Sequence, residues 1–181
     1  MATTEDKFQQ NPPLKTQNLF LGAQIFLRVL ALAVTLAASW IVLTSKQTIL
    51  ILGMAFDARY SYSPAMKFFA MANGIACAFS AISLFFVSFL RRHFFNPNHY
   101  FFLFLHDLLV LLLVLAGCAA ATTIGYVGQY GNNHSGWSPI CDHFQKYCKR
   151  VTASVAFSYL SVMFFLMLTI ISASKSRQIH V

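Results

Sequence analysis

Four long apolar runs constrain this sequence more than any other feature. A helix needs about 20 consecutive apolar residues to cross a bilayer, and each run reaches that length. Charged residues make up 10% of the chain, whereas soluble domains carry about 25%. We therefore predict an all-α membrane protein, a four-transmembrane-helix bundle without a separate globular domain. The predicted spans are residues 19–43, 68–90, 100–122 and 151–172.

The segments between the runs divide the rest of the chain. Residues 1–18 predict a disordered cytoplasmic tail, 91–99 a short inner turn and 173–181 a basic cytoplasmic tail. Because the first apolar run is too long for the core of a cleavable signal peptide, we interpret it as a signal anchor. The predicted outer loops are 44–67 and 123–150. The first contains TILILGMAF, which predicts a short β element on the membrane surface or an extension of span one.

Two formal charges lie deep inside the spans, Arg28 in the first and Asp107 in the third. At ~1.5 Å per helical residue, Arg28 lies ~13 Å and Asp107 ~10 Å from the same membrane face. A lone charge at mid-bilayer costs about 2.5–3.5 kcal/mol on insertion scales. Since pairing offsets that cost and the two depths agree, we predict an intramembrane ion pair that fixes the register of the two helices.

Asp107 also has a functional interpretation, because an intramembrane carboxylate is a candidate transport group. Together with His106 it would relay protons or bind a cation. Successive helical residues point about 100° apart, however, so His106 and Asp107 do not share one face. The spans contain no proline, whereas carriers usually have helices broken at mid-span. We favour the structural role and keep a channel or transporter subunit using Asp107 as the alternative function.

Cys141 and Cys148 lie seven residues apart in the second outer loop. Such a pair suits a disulfide in an oxidising compartment. A metal site formed with His143 is the alternative, but its spacing fits no common zinc pattern. The other cysteines, Cys77 and Cys118, lie within spans and are interpreted as packing residues. We expect the disulfide and no metal site.

Features of the loops predict the orientation of the bundle in the membrane better than the count of basic residues does. The predicted tails and inner turn carry six Lys and Arg residues, and the two outer loops also carry six. The Arg91–Arg92 pair in the short turn favours termini inside. Asn133 begins an Asn-His-Ser sequon for N-glycosylation, which, like the cysteine pair, places the long loops outside. We therefore expect both termini in the cytoplasm.

Small residues repeat at four-residue spacing in two spans and predict close packing between helices. Asn73, beside the first of these faces, can hydrogen-bond to a neighbouring helix. The fourth span has a mildly polar face formed by Ser154, Ser158 and Ser161. The predicted packing residues are Ala70, Gly74 and Ala78 in span two, and Gly117, Ala121 and Gly125 in span three.

The net charge of +8 comes from basic residues scattered in ones and twos, mostly at span ends. That distribution indicates contact with anionic lipid headgroups, and no nucleic-acid-binding motif accompanies it. The sequence also has no nucleophile elbow, metal-ligand cluster or phosphate-binding loop. We therefore predict a non-enzymatic protein without a cofactor and without a nucleic-acid partner, and a membrane scaffold as its leading function.

Three stretches carry a resemblance to a known family. They are YSYSPAMKFFAMANGIACAFSAISL, HDLLVLLLVLAGCAAATTIGYVGQYGN and HSGWSPICDHFQKYCKRV, the last followed by SVAFSYLS, and they cover roughly residues 59–161. In order, spacing and loop content, the chain resembles the Casparian strip membrane protein-like family of plants, which is related to MARVEL-type four-span proteins. The resemblance makes Arg28 and Asp107 the family's intramembrane charges, and Cys141 and Cys148 its second-loop cysteines.

The resemblance implies a plasma-membrane scaffold with cytoplasmic termini. Such proteins assemble with themselves, as homodimers or higher homo-oligomers, and with relatives as hetero-oligomers in poorly mobile membrane domains. The endodermal members use those domains to position cell-wall modifying enzymes and lignin. Residues 44–67 lack the first-loop signature of the strip-forming members, which favours a scaffold in other tissues.

Overall fold

The computed structural model describes residues 14–51, 53–90 and 97–180. Within these residues each of four long helices contains a segment long and apolar enough to cross a membrane. The prediction of an all-α bundle with four transmembrane helices is confirmed. The tail before residue 14 and the Arg91–Arg92 pair lie outside the described residues. The helices are α1 (Leu14–Thr44), α2 (Pro64–Leu90), α3 (Pro97–Tyr130) and α4 (Gln145–His180).

The helices are longer than the predicted spans. α3 continues to Tyr130 and α4 begins at Gln145, so the loop predicted over 123–150 is helical at both ends. α1 begins at Leu14, within the predicted N-terminal tail, and α4 continues to His180 through the predicted basic tail. Apolar runs indicate where the hydrocarbon ends, but backbone hydrogen bonding propagates a helix past that boundary at little cost per residue.

The connection between α1 and α2 contains the predicted β element. Strands β1 (Lys46–Ile51) and β2 (Met54–Arg59) pair antiparallel in a two-stranded sheet. Gly53, with φ 80°, supplies the left-handed backbone that a two-residue hairpin connection favours. A short 3-10 turn at Tyr60–Tyr62 then leads into α2. The alternative of an extended first helix is therefore wrong, because α1 ends at Thr44 and a strand follows.

Local chemistry explains where the helices begin and end. Pro64 occupies the first position of α2, where a missing backbone N–H does no harm. The hydroxyl of Thr44 donates to the carbonyl of Trp40 at 2.7 Å and satisfies an acceptor at the end of α1. α3 is followed by Gly131, whose φ of 70° matches the left-handed position that commonly closes a helix.

The four helices pack in the cyclic order α1–α2–α3–α4, each mainly against two neighbours. α1 and α3 are therefore diagonally opposite, as are α2 and α4. Large apolar side chains cover the outer surface, for example Ile82, Leu109 and Ile170, which are 62%, 59% and 53% exposed. Fourteen polar or charged side chains are buried within the described residues. Apolar groups outside and polar groups inside are the arrangement that a lipid environment favours.

Candidate functional site

The side chains of Arg28 and Asp107 meet at the centre of the bundle. Nη1 of Arg28 donates to Oδ1 of Asp107 at 2.9 Å, and Nη2 donates to Oδ2 at 2.7 Å. Arg28 is 1% exposed and Asp107 is 0% exposed. Two parallel bonds between a guanidinium and a carboxylate form the strongest geometry available to such a pair. Because α1 and α3 are diagonally opposite, the pair crosses the axis of the bundle.

The remaining two helices also contact this pair. Nη1 of Arg28 donates to Oγ of Ser83 on α2. Oγ of Ser172 on α4 lies 3.5 Å from Oδ2 of Asp107. Both serines are buried. All four helices therefore contribute to one polar cluster, which we call the central clamp and define as Arg28, Ser83, Asp107 and Ser172. The sequence predicted only its two charged members.

His106 lies beside the central clamp, although it points from a different face of α3. Its Nδ1 lies 3.4 Å from Oδ1 of Asp107, which is long for a hydrogen bond. The imidazole packs edge-to-face on Phe79, with ring centroids 5.3 Å apart. The side chain of His106 is 27% exposed, whereas that of Asp107 is closed off. The shorter, bidentate contact makes Arg28 the main partner of the carboxylate.

A second polar bridge crosses the other diagonal, nearer to the β hairpin end of the bundle. Ser158 on α4 donates through Oγ to Oδ1 of Asn73 on α2 at 2.8 Å. Asn73 donates in turn to the carbonyl of Phe69 at 3.0 Å, and Sγ of Cys118 donates to Oγ of Ser158 at 3.2 Å. These polar groups are buried and satisfied, so the bridge joins α2 and α4 without an exposed end.

The serine face of α4 also joins α1. Oγ of Ser154 donates to the carbonyl of Ala38 at 2.7 Å. Ser161 donates within α4, to the carbonyl of Ser158, at 2.7 Å. All three predicted serines are 0% exposed, so this mildly polar face is turned into the bundle.

The small residues of α3 lie where two helices approach closely. A Cβ added at Gly117 would meet the Cβ of Ala72 at 3.0 Å and the Cα of Phe69 at 3.5 Å. Ala121, one turn further along, is fully buried. Gly125 differs, because no atom lies within 4 Å of the position where its Cβ would stand. The close approach of α2 to α3 therefore depends on Gly117 and not on Gly125.

The small face of α2 is turned mostly away from this chain. Ala70 is buried, but Gly74 and Ala78 are exposed. No atom lies within 4 Å of the Cβ position of Gly74. Within the described residues, these two positions do not pack against a helix of the same chain, so their packing against another helix stays a prediction. Sequence spacing alone does not say whether a small face is turned toward its own bundle.

We expect Gly117→Leu to destabilise the bundle by about 1–3 kcal/mol, because the added side chain has no space between α2 and α3. The free energy of unfolding in lipid bicelles measures this effect. Gly74→Leu is the matched control, since the same side chain enters open space there. Equal losses for both variants would contradict the assigned packing.

The loop between α3 and α4 is closed by a disulfide between Cys141 and Cys148, whose Cα atoms are 5.8 Å apart. Because both sulfurs are used in this bond, the alternative metal site with His143 lacks its thiolate ligands. Cys118 is a buried free cysteine and Cys77 is a partly buried one. The disulfide ties the loop to the first turn of α4.

Backbone hydrogen bonds tie the same loop to α3. The N–H groups of Ile140 and Cys141 both donate to the carbonyl of Gly128, at 2.8 and 3.0 Å. Asn132 and Trp137 form an antiparallel bridge that closes a small turn. Asn133, the predicted glycosylation site, lies exposed in that turn. The sequon is therefore sterically accessible from the loop side.

The β hairpin and the disulfide loop form two walls of a groove of about 650 Å³. The backbone N–H of Tyr147 donates to Oε1 of Gln47 at 2.9 Å, which attaches the hairpin to α4. The ends of α2, α3 and α4 complete the lining. The groove is mainly apolar, and its aromatic lining residues are Phe56, Tyr62, Trp137, Phe144 and Tyr147.

The two charged residues of the groove lining neutralise each other. Nε of Arg59 lies 2.8 Å from Oδ2 of Asp57. The hydroxyl of Tyr62 donates to the same oxygen at 2.9 Å, and this hydrogen bond raises the pKa of Tyr62. Like an ordinary tyrosine, Tyr62 is protonated at physiological pH, and the raised pKa extends that protonated range upward. The contact is present below the ordinary tyrosine pKa and is lost as the pH rises through the raised value.

Comparison with known proteins places the chain in one family. A family model described as the Casparian strip membrane protein domain matches residues 18–164, a segment that contains Arg28, Asp107, Cys141 and Cys148. The chain is 59% identical over 181 residues to CASP-like protein 1F2 of Populus trichocarpa, with 100% of both chains covered. It is 58% identical over 183 residues to CASP-like protein 1F1 of Vitis vinifera, covering 100% of this chain and 88% of that one.

A third relative, CASP-like protein 1F1 of Ricinus communis, is 56% identical over 181 residues, again with 100% of both chains covered. The comparison with solved structures found no match. The family model covers most of the chain, and these relatives match it along its whole length. The chain therefore belongs to the Casparian strip membrane protein domain family, as a plant CASP-like multi-pass membrane protein.

Proposed function

We propose that the protein is a plasma-membrane scaffold that self-assembles into membrane domains. The observation that supports this most is the central clamp, in which Arg28 and Asp107 bond to each other with almost no exposed surface. A closed pair of this kind specifies one arrangement of four helices and offers no open site for a passing ion. A rigid membrane unit of fixed shape is the property that a repeating assembly needs.

Self-assembly has a candidate surface on α2. Gly74 and Ala78 are exposed small residues spaced by one helical turn. In lipid, such a face allows a helix of another chain to approach closely and gain van der Waals contacts. We propose homodimers or higher homo-oligomers, and hetero-oligomers with relatives, formed through this face within the surrounding membrane lipids.

Fluorescence recovery after photobleaching of a fluorescent fusion in plant cells tests the scaffold. We expect slow recovery in patches for the parent chain. Gly74→Leu is expected to reach the surface normally, because the fold has space for it, but to recover several-fold faster because close approach is blocked. Rapid and uniform recovery of the parent chain would contradict the proposal.

Transport through Asp107 remains the alternative function, and its supporting observation is the contact with the partly exposed His106. Ion flux in liposomes separates the two functions. A transporter predicts flux that Asp107→Asn abolishes and that His106→Ala changes. The scaffold predicts no flux above that of empty liposomes for either variant or for the parent chain.

We propose that the disulfide loop and the hairpin lie outside the cell and both termini in the cytoplasm. An impermeant maleimide tests this on intact protoplasts carrying Asn133→Cys in the loop or Ser176→Cys near the end of α4. We expect Asn133→Cys to be labelled directly and Ser176→Cys only after permeabilisation. The reverse pattern would overturn the orientation.

The outer loops are the proposed contact surface for cell-wall modifying enzymes. The disulfide and the hydrogen bonds to Gly128 hold the second loop in a fixed shape, which suits recognition. Proximity labelling from a tag inserted beside Asn133, compared with a tag at the C-terminus, identifies such partners. Enrichment of wall enzymes only with the loop tag supports the role, and identical neighbours for both tags would contradict it.

A further inference from the structure

The groove between the hairpin and the disulfide loop has a floor that the fold itself does not explain. Gly125 and Gly128 of α3 both line it. Glycine weakens a helix relative to alanine. Neither residue has a positive φ, and no atom lies within 4 Å of a Cβ at Gly125, while only Cys141 Sγ, at 3.9 Å, is near one at Gly128. Their effect is to leave a smooth floor under about 650 Å³ of space.

The position of the groove indicates that a membrane component fills it. Its helical lining comes from segments that belong to the candidate spans Pro64–Ser88, Phe101–Tyr130 and Gln145–Ser176. The lining is therefore continuous with the lipid-exposed surface of the same helices. Tyr62 and Trp137 at the groove are 64% and 59% exposed, as is usual for the aromatic residues of a membrane interface.

The charges of the lining distinguish among lipids. Asp57 and Arg59, its only charged residues among those described, are paired with each other. No unpaired cation therefore remains in the lining to bind a phosphate headgroup. The remaining polar lining groups include Gln129, Ser138 and Thr152, which suit a hydroxyl. Aromatic side chains facing a floor that contains two glycines fit a rigid ring system better than two flexible acyl chains.

We propose that this groove binds one neutral, ring-bodied membrane lipid with a single hydroxyl, the class that sterols represent. Its ring body lies between the aromatic walls and over Gly125, and its hydroxyl lies at the polar rim. A volume of about 650 Å³ is within the ~300–1,000 Å³ of typical ligand pockets. Sterol binding does not require self-assembly, so the failure of one proposal leaves the other standing.

Trp137 provides a direct probe, because the chain contains two tryptophans and the other is Trp40 on α1. In a Trp40→Phe background, Trp137 is the sole donor for energy transfer to the fluorescent sterol dehydroergosterol. The full chain is placed in phosphatidylcholine nanodiscs with rising sterol content. We expect energy transfer from Trp137 to saturate as the dehydroergosterol content rises. Added non-fluorescent sterol should reduce this energy transfer by competition.

Gly125→Phe fills the groove and is expected to weaken sterol binding at least about tenfold. Gly22→Phe is the matched control, since Gly22 is also a helical glycine with open space around its Cβ, and it should bind as the parent does. Phe56→Ala removes an aromatic side chain from the hairpin wall and is expected to weaken sterol binding several-fold. This second variant tests the proposal even if Gly125→Phe does not fold.

Several outcomes would overturn the proposal. Energy transfer that rises linearly with sterol content in every variant would show that Trp137 contacts sterol only as bulk lipid. Competition by phosphatidylglycerol at least as strong as by sterol would assign the groove to a phospholipid. Transfer that depends on protein density rather than on sterol content would assign it to a second copy of the chain.

Discussion

Asp107→Asn is expected to destabilise the bundle by about 3–5 kcal/mol, because it leaves the charge of Arg28 buried without a counterion. Asparagine keeps the shape of the side chain, so the loss reports on charge rather than on packing. Arg28 is 1% exposed, so its guanidinium is shielded from solvent. The free energy of unfolding in bicelles measures the effect, and the fraction of protein delivered to the cell surface should fall with it.

A control on the same helix separates this effect from general damage to α3. Leu109 is 59% exposed on the outer surface, and Leu109→Ala is expected to change stability by less than about 1 kcal/mol. If Asp107→Asn unfolded at the same free energy as Leu109→Ala, the central clamp would not stabilise the bundle.

Replacing both loop cysteines by serine is expected to reduce the local stability of the outer loop by roughly 2.5 kcal/mol on the chain-entropy description. The disulfide closes only a short segment, with a sequence separation of 7, so the effect should stay within the loop and the groove. Hydrogen exchange at the amides of positions 140 and 141, which donate to Gly128 in the parent chain, measures it. We expect both amides to lose protection while those of α1 keep theirs.

The free cysteine Cys77 provides the control for this experiment. It lies in α2 and is not bonded to another cysteine, so Cys77→Ser should leave the loop amides unchanged. Reduction of the parent chain with a dithiol should reproduce the double serine variant. Unchanged protection after removal of the disulfide would show that the hydrogen bonds to Gly128 alone hold the loop.

Sequence reasoning located Arg28 and Asp107 because a charge within an apolar run is rare and its depth follows from the helical rise. The length of the apolar runs predicted the four helices, and the short run TILILGMAF predicted the β element. The helices were predicted too short, because hydropathy marks the segment that lies in the hydrocarbon and not the full length of the hydrogen-bonded helix. The extensions at Leu14 and His180 carry polar residues that no apolar pattern marks.

Other parts of the site had no readable signal. Ser83 and Ser172 resemble many serines in membrane helices, and only the packing angle turns them toward the charge pair. Gly117 and Gly125 belong to the same repeat, yet one contacts α2 and the other lines the groove. The groove depends on how two loops distant in sequence fold over the helix ends, which spacing within one segment does not encode.

The central claim is that Arg28 and Asp107 hold the four helices together as a pair. A double-mutant cycle with Arg28→Met, Asp107→Leu and both together tests it most directly. The free energy of unfolding in bicelles should fall strongly for each single variant, and the double variant should regain part of that stability. The expected coupling energy is ~1–3 kcal/mol. A coupling energy of zero, with the two single losses simply adding, would contradict the account.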